Sequence, residues 1–242
     1  MGEPSESERW RSVASSDDGT RLVAVTEGHY IYISSDSGVT WTARENSRAW
    51  RSVASSADGT KLVAAVYGGQ IYTSTDSGAT WTARQSSRNW SSVASSADGA
   101  RLVAAAYLDQ IYTSSDSGVT WTARGSHPGS WSLASAADGS KLVAAVDGGQ
   151  IYTSTDSGAT WTARESNRSW SSVASSADGS TLVAVVAVGQ IYTSTPPITT
   201  PSTTTPGTSG SLVGGQGTAI ELQYIGNNQF LPVSHEGTIV GY

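Results

Sequence analysis

A 40-residue period runs through most of this chain and constrains its fold more than any other feature. The step of 40 is seen in the aspartates Asp36, Asp76, Asp116 and Asp156. Tryptophans keep the same step to within one residue at Trp10, Trp50, Trp90, Trp131 and Trp170. Five copies begin and four are complete. Because periods of roughly 20–50 residues are typical of solenoids and propellers, each copy is expected to be one supersecondary unit that buries its apolar side against its neighbours.

Each copy divides into four short segments with strand character. Residues 91–96 (SSVASS) form the first, residues 101–106 (RLVAAA) the second, residues 70–75 (QIYTST) the third and residues 80–84 (TWTAR) the fourth. β-Branched and small residues fill them, and none shows a sustained 3.6-residue apolar period. Four antiparallel strands per repeat predict an all-β, five-bladed β-propeller, closed into a ring, with the first strand nearest the axis.

An octapeptide of the form S-x-D-x-G-x-T-W joins the third and fourth segments. It stands at residues 34–41, 74–81, 114–121 and 154–161. The Asp76 carboxylate is expected to accept backbone N–H groups within the turn, and Gly78 to permit a left-handed conformation. The turns of the other complete copies are expected to be equivalent, which gives structural roles to Asp36, Asp76, Asp116, Asp156, Trp41, Trp81, Trp121 and Trp161.

This octapeptide closely resembles the Asp-box of the sialidase-like, or BNR, propeller repeats, over roughly residues 10–195. The resemblance implies that the box forms the turn between the third and fourth strands of a blade. Sialidases of this fold also need a Tyr–Glu pair, an acidic Asp, three arginines that converge on one carboxylate, and an Arg-Ile-Pro motif. This chain has no Arg-Ile-Pro, and its arginines recur at equivalent places. No catalytic residue is therefore assigned, although a sialidase-like glycoside hydrolase stays open as an alternative.

Two kinds of connection vary between the copies and are expected to share one side of the ring, here called the variable face. Residues 26–30, 66–70, 106–110, 146–150 and 186–190 join the second and third segments, and residues 44–50, 84–90, 124–131 and 164–170 join neighbouring blades. Loops that vary on a constant scaffold are candidates for function, although drift of exposed loops explains variation equally well.

Arginine and tryptophan recur at this predicted face. A guanidinium beside an indole could hold a sugar by hydrogen bonds and stacking. The alternative is that each indole packs between blades and each arginine pairs with a nearby glutamate. The candidate ligand-binding residues are Arg44, Arg48, Trp50, Arg84, Arg88, Trp90, Arg124, Trp131, Arg164, Arg168 and Trp170. A protein partner is the other possibility, because photosystem-II assembly-factor propellers resemble these repeats in general form.

Composition excludes several other functions. The net charge is −6 and there is no cysteine, so neither a basic nucleic-acid surface nor a thiolate metal site is expected. The three histidines share no metal-ligand spacing, so no metal or cofactor is predicted. No apolar stretch approaches the roughly 20 residues that a membrane span needs.

Composition changes at Pro196. We expect a leader at residues 1–9, the propeller at 10–195 with an incomplete last blade, a Pro/Thr/Gly/Ser linker at 196–217, and a β-hairpin at 218–242. Ile220, Leu222 and Tyr224 alternate with polar residues, as in a half-buried strand. This strand is expected to dock on a sheet edge of the same or a neighbouring molecule. Linkers of this composition are common in bacterial extracellular proteins, which favours an extracellular or cell-surface location.

Overall fold

The computed structural model of the chain describes residues 8–126, 129 and 131–194, and the strands at residues 212–214, 219–226, 229–236 and 239–241. The chain divides into two compact units, Met1–Ser194 and Thr195–Tyr242. All regular secondary structure in the described residues consists of β-strands. The repeats lie in the first unit. We call them blades 1 to 5, beginning at residues 10, 50, 90, 131 and 170.

Seventeen strands build the first unit. In chain order they are β1 (Trp10–Ser15), β2 (Leu22–Ser34), β3 (Thr42–Ser55), β4 (Leu62–Gly69), β5 (Ile71–Ser74), β6 (Thr82–Ala83), β7 (Arg88–Ser95), β8 (Leu102–Ala106), β9 (Gln110–Ser114), β10 (Thr122–Ser126), β11 (Trp131–Ser135), β12 (Leu142–Gly149), β13 (Ile151–Ser154), β14 (Thr162–Ala163), β15 (Arg168–Ser175), β16 (Leu182–Val186) and β17 (Ile191–Ser194). Pairing is antiparallel throughout. The predicted all-β antiparallel architecture is confirmed.

Burial explains why the second strand of each blade is a continuous apolar run. In β4, all residues from Leu62 to Val66 are at most 6% exposed. A strand covered on one side only would alternate apolar and polar residues, whereas a strand covered on both sides does not. The blades therefore stack face to face, and every central blade is covered by a neighbour on each side.

Neighbouring blades also join through their first strands and first turns. The first strands pack in series, β1 on β3, β3 on β7, β7 on β11 and β11 on β15. The backbone N–H of Ala57 donates to the carbonyl of Ala97 at 2.7 Å, and the same bond recurs at each junction from blade 1 to blade 5. Within the described residues, neither contact joins blade 5 back to blade 1. The described residues therefore join the blades in series from blade 1 to blade 5, and the closed five-bladed ring stays a prediction.

Connections on the variable face are more regular than expected. Residues 26–30 and 44–50 were expected to be loops, but they lie inside β2 and β3, where Glu27 pairs with Ala49. In blade 2, β4 continues to Gly69, and its Tyr67 pairs with Asn89 at the start of β7. These segments form β-ribbons because each finds backbone partners in the segment that enters the next blade.

The last blade and the second unit bear on the predicted tail. Within the described residues, β17 pairs only with β16. In the second unit, β18 (Leu212–Gly214) pairs with β21 (Ile239–Gly241), and β19 (Ala219–Gly226) pairs with β20 (Gln229–Glu236). The strand at β18 was not expected, because it lies within the predicted linker, most of which falls outside the described residues. The side chains of Ile220, Leu222 and Tyr224 also fall outside them, so tail docking stays a prediction.

Candidate functional site

The octapeptide turns are closed by their own aspartates. Asp76 accepts the Thr80 backbone N–H at 2.9 Å, the Thr80 hydroxyl at 2.6 Å and the Ser74 hydroxyl at 2.8 Å. These hydrogen bonds hold the pKa of the Asp76 carboxyl below its ordinary value, and the bond from the Thr80 hydroxyl has the largest effect. The same contacts recur at Asp36, Asp116 and Asp156, whose pKa values are lowered to about 2. Each carboxylate is thus occupied within its own turn.

The backbone of this turn is more demanding than the sequence indicated. Gly78 has the expected positive φ of 81°, but Ser77 before it also has a φ of 58°. Three indoles close their turns by donating Nε1–H to the glycine carbonyl, as Trp81 does to Gly78 at 3.0 Å. The Ser77 N–H bonds the Thr60 carbonyl at 2.9 Å, which places the first turn of the blade and the octapeptide turn at the same end. We call this end the octapeptide face.

The first set of predicted arginines points toward the octapeptide face rather than the variable face. Nε of Arg84, Arg124 and Arg164 donates to a threonine hydroxyl of the third strand at 2.9–3.0 Å. Arg124 also lines a cavity of about 200 Å³ with Arg101 and Asp156. These three arginines therefore reach back along their own blades, and their assignment as ligand-binding residues stays a prediction.

Arg44 is the exception in this set because Ile33 replaces the threonine of the third strand. Its Nε is buried without a hydrogen-bond partner. Arg44 lines a cavity of about 100 Å³ that also includes Ser34 and Ser77, so it too faces the octapeptide turns.

A second set of arginines covers the aromatic rings of the third strands. The guanidinium carbons of Arg48, Arg88 and Arg168 lie 4.8–4.9 Å from the ring centroids of tyrosines 72, 112 and 192. Arg88 also bonds the Asp109 carboxylate at 2.5 Å. These cations are engaged in packing and pairing at the rim of the blades.

The four candidate tryptophans lie in the core. Their exposed fractions are 0% for Trp50, 0% for Trp90, 5% for Trp131 and 2% for Trp170. The Trp90 ring meets the edge of Tyr112 at 5.2 Å between centroids. A ring this deeply buried does not offer its face to an external sugar, so the stacking half of the sugar-binding hypothesis is not supported at these positions.

A cavity of about 280 Å³ opens instead on the variable face, between the connections of blades 1, 2 and 3. We call it the tyrosine pocket. Its lining residues are Glu27, Ala49, Trp50, Arg51, Tyr67, Ser91 and Tyr107. Tyr67 and Tyr107 are 46% and 39% exposed. The pocket therefore combines two accessible aromatic rings with a cation and an anion.

Charge and backbone strain accompany this pocket. Arg11 forms an ion pair with Glu27, and the hydrogen bond from Arg11 is the main cause that lowers the pKa of Glu27. Leu108, beside Tyr107, is 61% exposed and has a φ of 55°. A leucine in the left-handed region is strained, and strain of this kind is concentrated at functional loops. The connection at residues 106–110 thus holds an apolar side chain outward at a conformational cost.

The tyrosines of this pocket were missed in the sequence, although a signal for them exists. The equivalent position in blades 1 to 5 is occupied by Glu27, Tyr67, Tyr107, Asp147 and Ala187. Two large aromatic residues at a position that the fold fills with Glu, Asp or Ala elsewhere are not required by packing. Comparing the copies position by position, rather than looking for recurring residues, would have identified them.

The described residues contain no group of three or more His, Cys, Asp or Glu side chains that could hold a metal ion. In the same part of the chain, no helix has the length and apolarity needed to cross a bilayer.

Comparisons with known proteins identify the fold. No protein-family model and no curated protein matches the sequence. Among solved structures, the chain is similar to YCF48 bound to D1 peptide, with a TM-score of 0.62, 16% identity, and coverage of 96% of this chain and 84% of that one. It is similar to the Myceliophteria thermophila Cps50 (Swd1) beta-propeller domain, with a TM-score of 0.62, 15% identity, and coverage of 78% and 66%.

A glycoside hydrolase is also among the similar structures. The Niastella koreensis GH74 enzyme matches with a TM-score of 0.60, 24% identity, and coverage of 77% of this chain. The chain spans 30% of the length of that enzyme. At these identities the likeness shows the fold alone, and that fold is a β-propeller.

Proposed function

We propose that this protein is a non-enzymatic propeller of five blades, four of which carry an Asp-box-type turn, that binds a segment of a partner protein at the tyrosine pocket. The observation that carries the proposal is the exposure of Tyr67 and Tyr107 around a cavity on the variable face. Tyrosine offers a large contact area with one polar end, and protein interfaces are enriched in it. Glu27 and Arg51 supply charges of both signs at the rim.

A structural neighbour agrees with this choice. The YCF48 structure is described as bound to D1 peptide, and the present chain spans most of its length. At 16% identity the comparison does not carry YCF48's partner over to this chain, so the proposal names only the class, an extended protein segment. We include an extracellular location in the proposal on the composition of residues 196–217.

The chemistry of the described carboxyl groups favours binding over hydrolysis. A glycoside hydrolase needs one carboxylic acid whose pKa is raised so that it can protonate the leaving group. The pKa of every described Asp or Glu with a resolved shift is lowered, that of Asp58 to about 2 by hydrogen bonds from its own turn and that of Glu27 chiefly by a hydrogen bond from Arg11. Such groups are ionised at neutral pH and already have partners.

A random peptide library displayed on phage, selected against the full chain, tests the proposal. Tyr67→Ala and Tyr107→Ala should each weaken the selected peptides at least about tenfold, as expected for an aromatic anchor in a pocket. Val39→Ala, at an 81%-exposed side chain on the octapeptide face, is the matched control and should leave affinity unchanged. Peptides that bind the tyrosine variants as tightly as the parent would contradict the pocket assignment.

The sugar-binding alternative is tested by a separate experiment. An oligosaccharide array probed with the parent chain and with Arg88→Ala would show whether the arginine rim binds glycans. Array binding that depends on Arg88, with no enriched peptide, would replace a protein segment by a carbohydrate as the ligand class. Release of reducing sugar from a polysaccharide by the parent chain would overturn the non-enzymatic assignment.

A further inference from the structure

Each junction between blades joins two different flanks. The leading flank of blade 2 presents Val63, Ala65 and Ile71, and these pack on the trailing flank of blade 3, which includes Trp90 and Val93. Equivalent residues form the other three junctions. The interface is therefore heterologous, and every copy of the repeat carries both halves of it.

Each end of the series carries one half of this interface that is only partly covered. On the flank of blade 1, Ala24 and Tyr32 are 4% and 3% exposed, but larger apolar side chains beside them are not buried. On the leading flank of blade 5, Ile191 is 71% exposed, although its equivalent Ile71 is fully buried. On the trailing flank of blade 1, Trp10 and Val13 are 44% and 73% exposed, whereas Trp50 and Val53 in blade 2 are 0% and 5% exposed. Large apolar side chains are thus left in solvent at both ends.

Unpaired polar groups at these ends are complementary as well. At each internal junction an N–H of one first turn donates to the carbonyl 40 residues later, as Ala137 does to Ala177. Continuing this series from blade 5 would join the Ala177 N–H to the Asp17 carbonyl of blade 1. Within the described residues neither group has this bond.

The first strands repeat the same relationship. The Ser52 hydroxyl accepts the Val93 N–H at 3.1 Å, and the same bond recurs at the other junctions with a length of 3.1–3.2 Å. Among the residues that the structure describes, the Ser172 hydroxyl on blade 5 and the Val13 N–H on blade 1 do not form this bond.

We propose that blade 5 of one molecule binds blade 1 of a second copy of this chain, head to tail, through the interface that already joins its own blades. The trailing flank of blade 1 has the same side chains that contact a leading flank at the junction of blades 1 and 2. Trp10, Val13, Leu22, Ala24 and Tyr32 of blade 1 are identical to Trp50, Val53, Leu62, Ala64 and Tyr72 of blade 2. Residues 195–242 contain neither tryptophan nor aspartate, so they do not repeat this set. This inference does not depend on the proposed peptide binding.

One bond of the internal junctions is missing from this contact, which makes it weaker and reversible. A basic side chain of each blade reaches a turn carbonyl of the next, as Lys61 does to Asp98 at 2.8 Å and Arg101 to Asp138 at 3.1 Å. Blade 5 has Thr181 at this position. A heterologous contact gives a closed ring or an open chain, depending on the rotation between copies.

Sedimentation equilibrium on the full chain, from micromolar to millimolar concentration, tests the proposal. The mass should rise with concentration above the 25.0 kDa of one chain. Ile191→Asp and Val13→Asp, at side chains that are exposed in a single molecule, should each reduce association at least about tenfold. Val39→Asp, exposed on the octapeptide face, is the control and should associate like the parent. Thermal melts verify that each variant is folded.

Mixing the two variants separates a head-to-tail contact from any other. Ile191→Asp keeps an intact blade 1 flank and Val13→Asp keeps an intact blade 5 flank, so the mixture should form a one-to-one dimer with the affinity of the parent. Thr181→Arg should tighten self-association by up to about tenfold, because it restores the missing bond. A parent chain that is monomeric throughout, or association that neither Asp variant changes, overturns the proposal. The latter result would place the contact elsewhere, for example in residues 195–242.

Discussion

Central and terminal blades have nearly the same sequence and very different surroundings. Trp90 in blade 3 is fully buried and Trp10 in blade 1 is 44% exposed, although each begins the same WxSVAS segment. Isoleucines of the third strand differ in the same way between Ile111 and Ile191. The comparison teaches that a repeat of this kind encodes only half of its own core, and that the neighbouring blade supplies the other half.

The turns show the opposite behaviour. Asp36 in terminal blade 1 and Asp116 in central blade 3 accept the same bonds from Ser and Thr of their own octapeptides. Both have a pKa of about 2. The aspartate contacts within the octapeptide are thus the same in all four copies that carry it, whereas contacts between blades depend on position in the series.

The largest difference is expected for the first tryptophan. Trp90→Ala removes a fully buried ring and its edge contact with Tyr112, so it should lower the free energy of unfolding by about 3–5 kcal/mol. Trp10→Ala should cost about 1 kcal/mol or less at dilution, because nearly half of the ring is already in water. Urea denaturation of both variants measures the two losses. Equal losses would mean that Trp10 is covered by residues outside the described part of the chain.

A smaller difference is expected at the glycine of the first turn. Gly19 and Gly59 have φ values of 70° and 69°, so alanine strains the backbone equally at both, by about 1–2 kcal/mol. A Cβ at Gly59 would lie 2.8 Å from the Arg21 side chain of the preceding blade, whereas a Cβ at Gly19 meets nothing within 4 Å. Gly59→Ala should therefore lose about 1–3 kcal/mol more than Gly19→Ala in urea denaturation.

Two results at this pair of glycines would contradict the expected difference between a central and a terminal blade. Identical losses at the two positions would show that Arg21 moves aside without cost. A larger loss at Gly19 would indicate that another segment occupies the space before blade 1.

The smallest effect is expected for the octapeptide aspartates, and it should be equal at both positions. Their folded pKa of about 2 lies below the ordinary value of 3.8, so their stabilising effect is present above that ordinary value and is lost as the pH falls toward 2. Asp36→Ala and Asp116→Ala should lower the melting temperature by the same small amount at neutral pH. Melting curves across this acid range should show each variant converging on the parent. A much lower melting temperature for Asp116→Ala than for Asp36→Ala would show that the turn depends on the neighbouring blade.

Much of the fold was predictable because its causes are local. β-Branched and small residues and Gly-containing turns predicted four strands in each complete copy, and the pairing of β4 with β5 and of β5 with β6 agrees. The role of Asp76 followed from the spacing of Ser, Thr and Gly around it. The backbone strain at Ser77 was not foreseen, because serine does not mark a left-handed position as glycine does.

The candidate site was less predictable because it depends on side-chain direction. The sequence predicted ligand binding by the recurring Arg and Trp residues. Recurrence in a repeat mostly indicates a structural role, as the buried Trp50 illustrates. Arg84 and Arg88 are four residues apart, yet Arg84 bonds Thr73 of blade 2 whereas Arg88 covers the ring of Tyr112 in blade 3. Tyr67 and Tyr107 are useful candidates for the converse reason, that packing does not require them.

The period, the strands, the turn chemistry and the all-β class follow from the amino-acid sequence, since each rests on interactions within one repeat. The burial of each copy of a residue, the direction of the arginines and the absence of these junction contacts between blades 1 and 5 in the described residues depend on how the blades pack. The physical reason is that a blade buries its apolar side chains only against another blade. Its sequence specifies the two flanks but not how many blades stand between the first and the last.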